Sequence, residues 1–566
     1  MKSLFVGAPV SRLAAACATA FLTLGLLTTS ACDSGPKPGE EAAYWGEKLK
    51  AEDKKTREKA MKELTRLKDP KSLPALYEAL RGEDPSLRSD AAQLVGFIGD
   101  EGSTPALVDG IDFRAGAGRD KKGRIAATAN ERIAKALGAV GKENDPKAVA
   151  ALKRLASSPH QNTQLGAIWA LGELRATDAV QDLIDIADGH ENNYMVKNAV
   201  IALGHIADEK AVPVLIKLLF FERGVSFYRE ASYALFQIGK PAVEPMIQVY
   251  KNEYKPIAAM HVDAGVQKAK AIEVLGDIGD ARFIPFVIES SGVSVGDTAS
   301  ALTRAKADFV AGRLGVKGAV PVLVKHWDDV DVSKSEFALA SLAQIGAKEV
   351  APALLKMTTH DGYMNQCVKV QQNKETQCRF SEAQVRKPRL LALSQLSDGS
   401  DLDAWNQMIA QSDALKAAEE KGANSDDALL KKVAKAATKG HEKTKKLLEE
   451  RKPMLEAAKD CGDKKDCWIS KLASENPRVR ERAGYALMHL GGEESLNALA
   501  KNLGDPDNEA RYAAILAVWR AMPQGELGQT LLKRIDEILK EERGKTQFVR
   551  INEDLKRLRV KLARGY

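Results

Sequence analysis

Six cysteines and eight histidines are the side chains of this 566-residue chain best suited to bind a metal or attack a substrate. The histidines are His160, His190, His205, His261, His326, His360, His441 and His489, each standing alone. No His-Glu-x-x-His occurs, and no two imidazoles stand at i, i+4, the spacing that puts a pair on one helix face for zinc. His190-Glu191 and His441-Glu442 are the only His-Glu pairs, too few and too unlike in setting for an iron site. No Gly-x-Ser-x-Gly marks a nucleophile elbow. Asp328-Asp329-Val330-Asp331 lacks the glycine and distal glutamate of a calcium loop. The basic, glycine-rich run Phe113 to Gly123 lacks the residue order of a phosphate-binding loop and follows no strand, so it reads as an exposed loop. No catalytic residue, metal or cofactor is expected.

The cysteines are Cys17, Cys32, Cys367, Cys378, Cys461 and Cys467. Cys367 with Cys378 and Cys461 with Cys467 make two local pairs, the pattern of disulfides pinning loops in an oxidising compartment. Closing loops this short contributes roughly 2–3 kcal/mol. A zinc site shared by all four thiolates is the alternative, although neither pair has Cys-x2-Cys spacing.

Residues Met1 to Arg12 carry Lys2 and Arg12 and no acid, and Leu13 to Leu27 form an uncharged, largely apolar run too short for a permanent span. The run ends in Thr29-Ser30-Ala31-Cys32, which resembles the lipobox of bacterial lipoproteins. That resemblance implies cleavage after Ala31 and acylation of Cys32. Thr29 stands where the family usually has Leu, and Thr29 and Ala31 also suit ordinary signal peptidase. Losing Cys17 with the signal and lipidating Cys32 leaves four cysteines, which can pair. Residues 1–31 are thus expected to be a signal peptide. Residues 32–43 read as a polar tether, and the protein as exported to the bacterial cell envelope and lipid-anchored to the inner or outer membrane.

The body that such a tether would carry must be helical. The chain is 44% hydrophobic and 28% charged but only 5% aromatic, which excludes wholesale disorder and favours helices packed through small and aliphatic residues. One unit recurs: a small residue, apolar residues at +4 and +7, and often a glycine, as in Ala199 to Ile206, Ala231 to Gly239 and Ala271 to Gly279. Taking the +7 residue as a marker gives Leu67, Ile98, Val140, Leu174, Ile206, Ile238, Ile278, Leu314, Ile345, Leu396, Leu490 and Ala521. The markers fall 31 to 42 residues apart through Ile345, then 51, 94 and 31. A second apolar stretch with an early proline follows most of them, as at Pro74, Pro213, Pro285, Pro321 and Pro352, and proline is tolerated in a helix's first turn.

Two amphipathic helices every thirty-odd residues must stack to bury their stripes. The pattern resembles HEAT repeats, particularly the short variety of phycobilin lyase-type proteins, over about Tyr44 to Leu396 and Asp466 to Met522. This implies an all-α solenoid of about twelve helical hairpins, at 44–410 and 461–525. A Lys/Glu-rich helical insertion is expected at 411–460, with Leu429-Leu430, Val433 and Leu447-Leu448 at helical intervals, and capping helices at 526–566.

Of the net charge of +7, the signal carries +2 and Lys540 to Tyr566 carries +5, so the array between is neutral. A neutral array is no nucleic-acid groove. The basic end reads either as a surface for anionic lipid or an acidic partner, or as a cap whose charges balance helix C-termini. Two residues after each small residue lies an outward column that holds Trp169, Ile201, Tyr233, Phe309 and Tyr485. These side chains either form a partner-binding stripe on the concave face or pack between repeats. The expected function is a monomeric, non-catalytic scaffold for a protein partner of the cell envelope. A lyase-like or enzyme-assisting factor and an envelope polysaccharide binder are the alternatives.

Overall fold

Aspartate and asparagine start most of the helices that follow. In the computed structural model, which describes residues 36–114, 120–221, 224–328, 332–359, 382–423 and 428–565, each repeat is an outer helix followed by an inner one. Residues 1–31, Cys32, most of the tether, Cys367 and Cys378 lie outside the described residues, as do parts of the 113–123 and 328–331 loops. The inner helices of the first half are α1 (Lys54–Leu67), α2 (Pro85–Ile98), α3 (Lys121–Val140), α4 (Gln161–Glu173) and α5 (Asn193–Ile206). Those of the second half are α6 (Tyr228–Ile238), α7 (Ala264–Ile278), α8 (Thr298–Leu314), α9 (Val332–Ile345) and α10 (Glu382–Leu396). Side chains of Asp53, Asp84, Asp120, Asn192, Asp263 and Asp297 accept backbone N–H bonds at the first turns of α1, α2, α3, α5, α7 and α8. Outer helices open on a 3₁₀ turn and then take the proline. Asp208 caps the turn Glu209–Ala211, which runs into Val212–Phe220 with Pro213 at its second position.

A second column, two residues before each marker, sets how closely the inner helices approach. It reads Gly96, Gly138, Gly172, Gly204, Phe236, Gly276 and Gly312 along α2 to α8. A Cβ on Gly172 would lie 2.8 Å from Ala202 Cα, and one on Gly204 would lie 2.9 Å from Ala234 Cα, so each glycine lets the next inner helix close in on it. Phe236 is the exception, and α6 meets α7 less closely than any other neighbouring pair from α2 to α8 meets.

The long insertion is a helical hairpin, α11 (Leu402–Ala423) and α12 (Ala428–Cys461). It begins nine residues before the expected boundary at 411, because Trp405 and Met408 at its base are core residues. Trp405 is fully buried and its indole N–H donates to Leu448 O at 2.8 Å. Leu448, Met454, Leu455, Ala457 and Ala458 of α12 are buried too, so the base of the hairpin serves as a layer of the array and is not solvated. Cys461 and Cys467 are disulfide-bonded across the turn that follows, with Cα atoms 5.4 Å apart. The array resumes with α13 (Pro477–Leu490) and α14 (Asn508–Ala521) and ends with α15 (Gly525–Glu541) and α16 (Val549–Arg564).

α15 and α16 bury Leu531, Ile535, Ile538, Leu555, Leu558 and Leu562, which covers the last repeat. They do more, because the inner face of α14 and α16 meets the inner faces of α5 to α8 across the groove. Lys561 Nζ donates to Ile278 O at 2.7 Å, Arg564 donates to His205 O at 3.1 Å, and Arg520 donates to the carbonyls of Arg313 and Gly312. These carbonyls lie at the C-terminal turns of α7, α5 and α8, where the helix dipole favours a cation. Trp519 fills the centre, stacked on Phe236 with ring centroids 6.4 Å apart. The carboxy-terminal half is therefore a clasp.

Candidate functional site

The column with Trp169, Ile201 and Tyr233 follows the inner face of the groove. Three cavities open along it, and Gln93, Lys135, Glu273, Phe309, Ala340, Leu391 and Tyr485, all column residues, help to line them. Helix geometry explains the alignment, since one register position repeated in stacked helices traces a continuous stripe.

Individual residues of the column differ in what they meet. Trp169 and Ile201 are half-buried, and the Trp169 ring lies over Gly138 of the preceding inner helix. Tyr233 is half-buried under the guanidinium of Arg557, 5.7 Å from its ring centroid. Burial raises the Tyr233 hydroxyl above its ordinary titration range. Tyr485 is buried against Ala513 and Leu516 of α14, so it packs between repeats while one side of it lines a cavity. Phe309 is 39% exposed. The structure thus separates the five into four packed side chains and one exposed ring, Phe309, with the Arg313 guanidinium 6.0 Å from its centroid.

Phe309 stands at the largest of the three cavities, about 430 Å³, between α7, α8, α9 and α16. Leu302 and Phe337 line the same cavity and are exposed by 44% and 40%. Its floor is charged and internally paired. Arg313 holds Asp277 at 2.7 Å and Asp554 at 3.7 Å, Arg557 reaches Asp277 at 3.2 Å, and Lys306 pairs with Glu273. Burial pushes the Asp554 carboxyl up and the Lys306 ammonium down. An apolar mouth over a neutralised polar floor suits a hydrophobic side chain with polar groups beside it.

A second cavity, about 180 Å³, opens on the other side of α9. Beneath it Glu481 is fully buried and accepts from Arg451 at 2.8 Å, from Gln395 at 3.0 Å and from Arg478. Arg482 is buried as well, donates to Ser397 O at 3.1 Å, and is pushed down to about 10 by desolvation. These contacts tie α10, α12 and α13 together.

Histidines sit at separate places in the array. His326 meets the buried Asp308 at 2.9 Å, and His205 meets Glu173 at 3.1 Å. Among the described residues, no three His, Cys, Asp or Glu side chains are grouped so as to hold a metal ion, and no helix is long and apolar enough to cross a membrane.

Sequence reasoning missed Leu302, Phe337, Asp277, Arg313 and Arg557. Leu302 and Phe337 stand off the marker column, and the charged three meet only because the groove closes. The one available signal was the break in the glycine column, where Phe236 and, in the equivalent place on α14, Trp519 replace a small residue.

The family comparison agrees with this architecture. HEAT repeats are matched at residues 42–115, 127–197 and 151–235, and a PBS lyase HEAT-like repeat at 479–505. Solved structures of similar fold include importin beta, 14% identical over 89% of this chain and 70% of importin beta, with a TM-score of 0.44. Yeast importin-beta is 12% identical over 93% of this chain and 73% of its own, with a TM-score of 0.35. Human deoxyhypusine hydroxylase is 19% identical over 54% of this chain and 96% of its own, with a TM-score of 0.20. No curated protein matches the chain.

Proposed function

We propose that this HEAT-repeat α-solenoid is a non-catalytic, protein-binding scaffold, held at the bacterial cell envelope by lipid on Cys32, whose partner seats in the inner groove. One observation carries the binding reading. Of the eight large apolar side chains exposed among the described residues, Leu302, Phe309 and Phe337 gather at one cavity on the concave face. Apolar side chains collected at the rim of a concave polar surface mark an interaction site, and fully covering one such side chain is worth about 1.5–3 kcal/mol. The anchoring reading rests on the charged start, the apolar run and Thr29-Ser30-Ala31-Cys32.

Crosslinking and pull-down from membranes tests both parts. The parent chain is expected in the membrane fraction and Cys32→Ala in the soluble one. A Phe309→Ser/Phe337→Ser chain should keep its helicity and lose at least about tenfold of the captured partner. Equal capture by parent and double variant would remove the groove from the reading, and membrane retention of Cys32→Ala would remove the lipid.

A further inference from the structure

Three guanidiniums of the carboxy-terminal half are held in the same way, between an aromatic ring and a carboxylate. Arg313 lies 3.7 Å from the Trp519 ring centroid and 2.7 Å from Asp277. Arg557 lies 5.7 Å from the Tyr233 centroid and 3.2 Å from Asp277. Arg511 lies 4.4 Å from the Phe548 centroid and 2.7 Å from Glu542. Each combines a cation–π contact with an ion pair, which for Arg313 and Arg511 is also a charge-assisted hydrogen bond.

The 180 Å³ cavity beside α9 offers the ring and the carboxylate with no guanidinium stacked between them. Its lining includes the buried ring of Tyr485, the half-buried ring of Tyr512, and the exposed carboxylates of Glu336 and Glu509. Neither carboxylate is in an ion pair among the described residues, whereas Arg451 on the floor is already held by Glu481 at 2.8 Å. Desolvation and the nearby Glu481 raise the Glu509 carboxyl, against the opposing pull of the Arg451 and Arg478 guanidiniums. Gln344 also lines the cavity, while its Oε1 is buried beside Gly312.

We propose that this cavity receives an arginine side chain of the protein partner. The two faces of its planar guanidinium would meet Tyr485 and Tyr512, and its N–H groups would meet Glu336 and Glu509. The inference rests on the scaffold reading and sharpens it. Glu336 and Phe337 are neighbours on α9 yet line the two different cavities, so the arginine pocket and the apolar pocket flank one helix. Packed helices lie about 8–10 Å apart. A partner that fills both pockets therefore carries a large apolar residue and an arginine about 10 Å apart, which a polyproline II segment achieves at a spacing of three residues, one full turn that returns both side chains to the same side.

The test is fluorescence anisotropy on the full chain with a labelled twelve-residue Ala/Gln/Ser peptide carrying one leucine and, three residues later, one arginine. Binding is expected near ~100 μM, the range of a two-anchor contact. Replacing the arginine by neutral citrulline should weaken binding about tenfold or more, and so should a Glu336→Gln/Glu509→Gln chain, while Lys147→Gln, exposed on the outer helix Pro146–Ala156 of the distant half, should change nothing. No binding at 1 mM, or citrulline and double-glutamine results within twofold of the parent, would overturn the proposal. The scaffold reading fails separately, when membrane capture survives Phe309→Ser/Phe337→Ser.

Discussion

The two halves of the solenoid use the same repeat and treat their inner face differently. From α1 to α5 the outward column runs Lys62, Gln93, Lys135, Trp169 and Ile201, and the glycine at Gly96, Gly138, Gly172 and Gly204 lets each inner helix approach the next. From α6 onward the chain folds back on itself. Phe236 replaces the glycine, Trp519 stacks on it, and Arg520, Lys561 and Arg564 donate to carbonyls of α8, α7 and α5. The difference teaches that curvature alone leaves a groove open. Closure needs a large side chain in the column and cations placed at helix C-termini.

The largest expected effect on this contrast comes from Trp519→Ala. Trp519 is 2% exposed and touches Phe236, Arg313 and Lys561, so its loss should cost about 3–5 kcal/mol. Hydrogen exchange should show residues 549–564 deprotected while α1 to α4 keep their protection. Equal deprotection of both halves would break the comparison.

Lys561 should make the clasp sensitive to pH. Burial pushes its ammonium down to about 8, against 10.5 for an ordinary lysine. Between those values the unfolded chain still holds the proton that the folded one has released. Stability therefore rises with pH across that window, by about 1.4 kcal/mol per pH unit, roughly 3 kcal/mol in all. Thermal melts from pH 8 to 10 should show this rise in the parent, and Lys561→Met should flatten it.

A smaller effect, about 1–3 kcal/mol, is expected for Gly172→Ala, whose new Cβ would lie 2.8 Å from Ala202 Cα and 2.9 Å from Ala202 Cβ. Its melting midpoint should fall while residues 549–564 remain protected. Loss of that protection would show that the halves are mechanically coupled.

Much of the fold was legible because it is local. The apolar +4 and +7 positions, the capping aspartates and the early prolines act within one helix turn or one repeat, and they place the inner helices. The column of Trp169 and Phe309 was legible for the same reason. The clasp was not, because Lys561 meets a carbonyl 283 residues away and Arg564 one 359 residues away, and no period encodes such a pairing. The insertion's start was misplaced because charged residues dominate its composition, whereas Trp405 and Met408 anchor its base. Tyr485 shows the limit of a register argument. It occupies the same register position as Phe309, yet it is covered by α14 while Phe309 stays 39% exposed.

The carbonyl contacts of Arg520 and Lys561 also bear on how this chain can change length. Adding or removing one unit between α8 and α14 would carry Arg520 about one interhelix step, 8–10 Å, away from the Arg313 carbonyl, and the clasp would miss its seat. Units ahead of α5 face no such constraint, because each leans only on its neighbours. Copy number is thus frozen in the carboxy-terminal half and free to drift in the amino-terminal half, which makes the open end the place where a longer or shorter binding surface can be built.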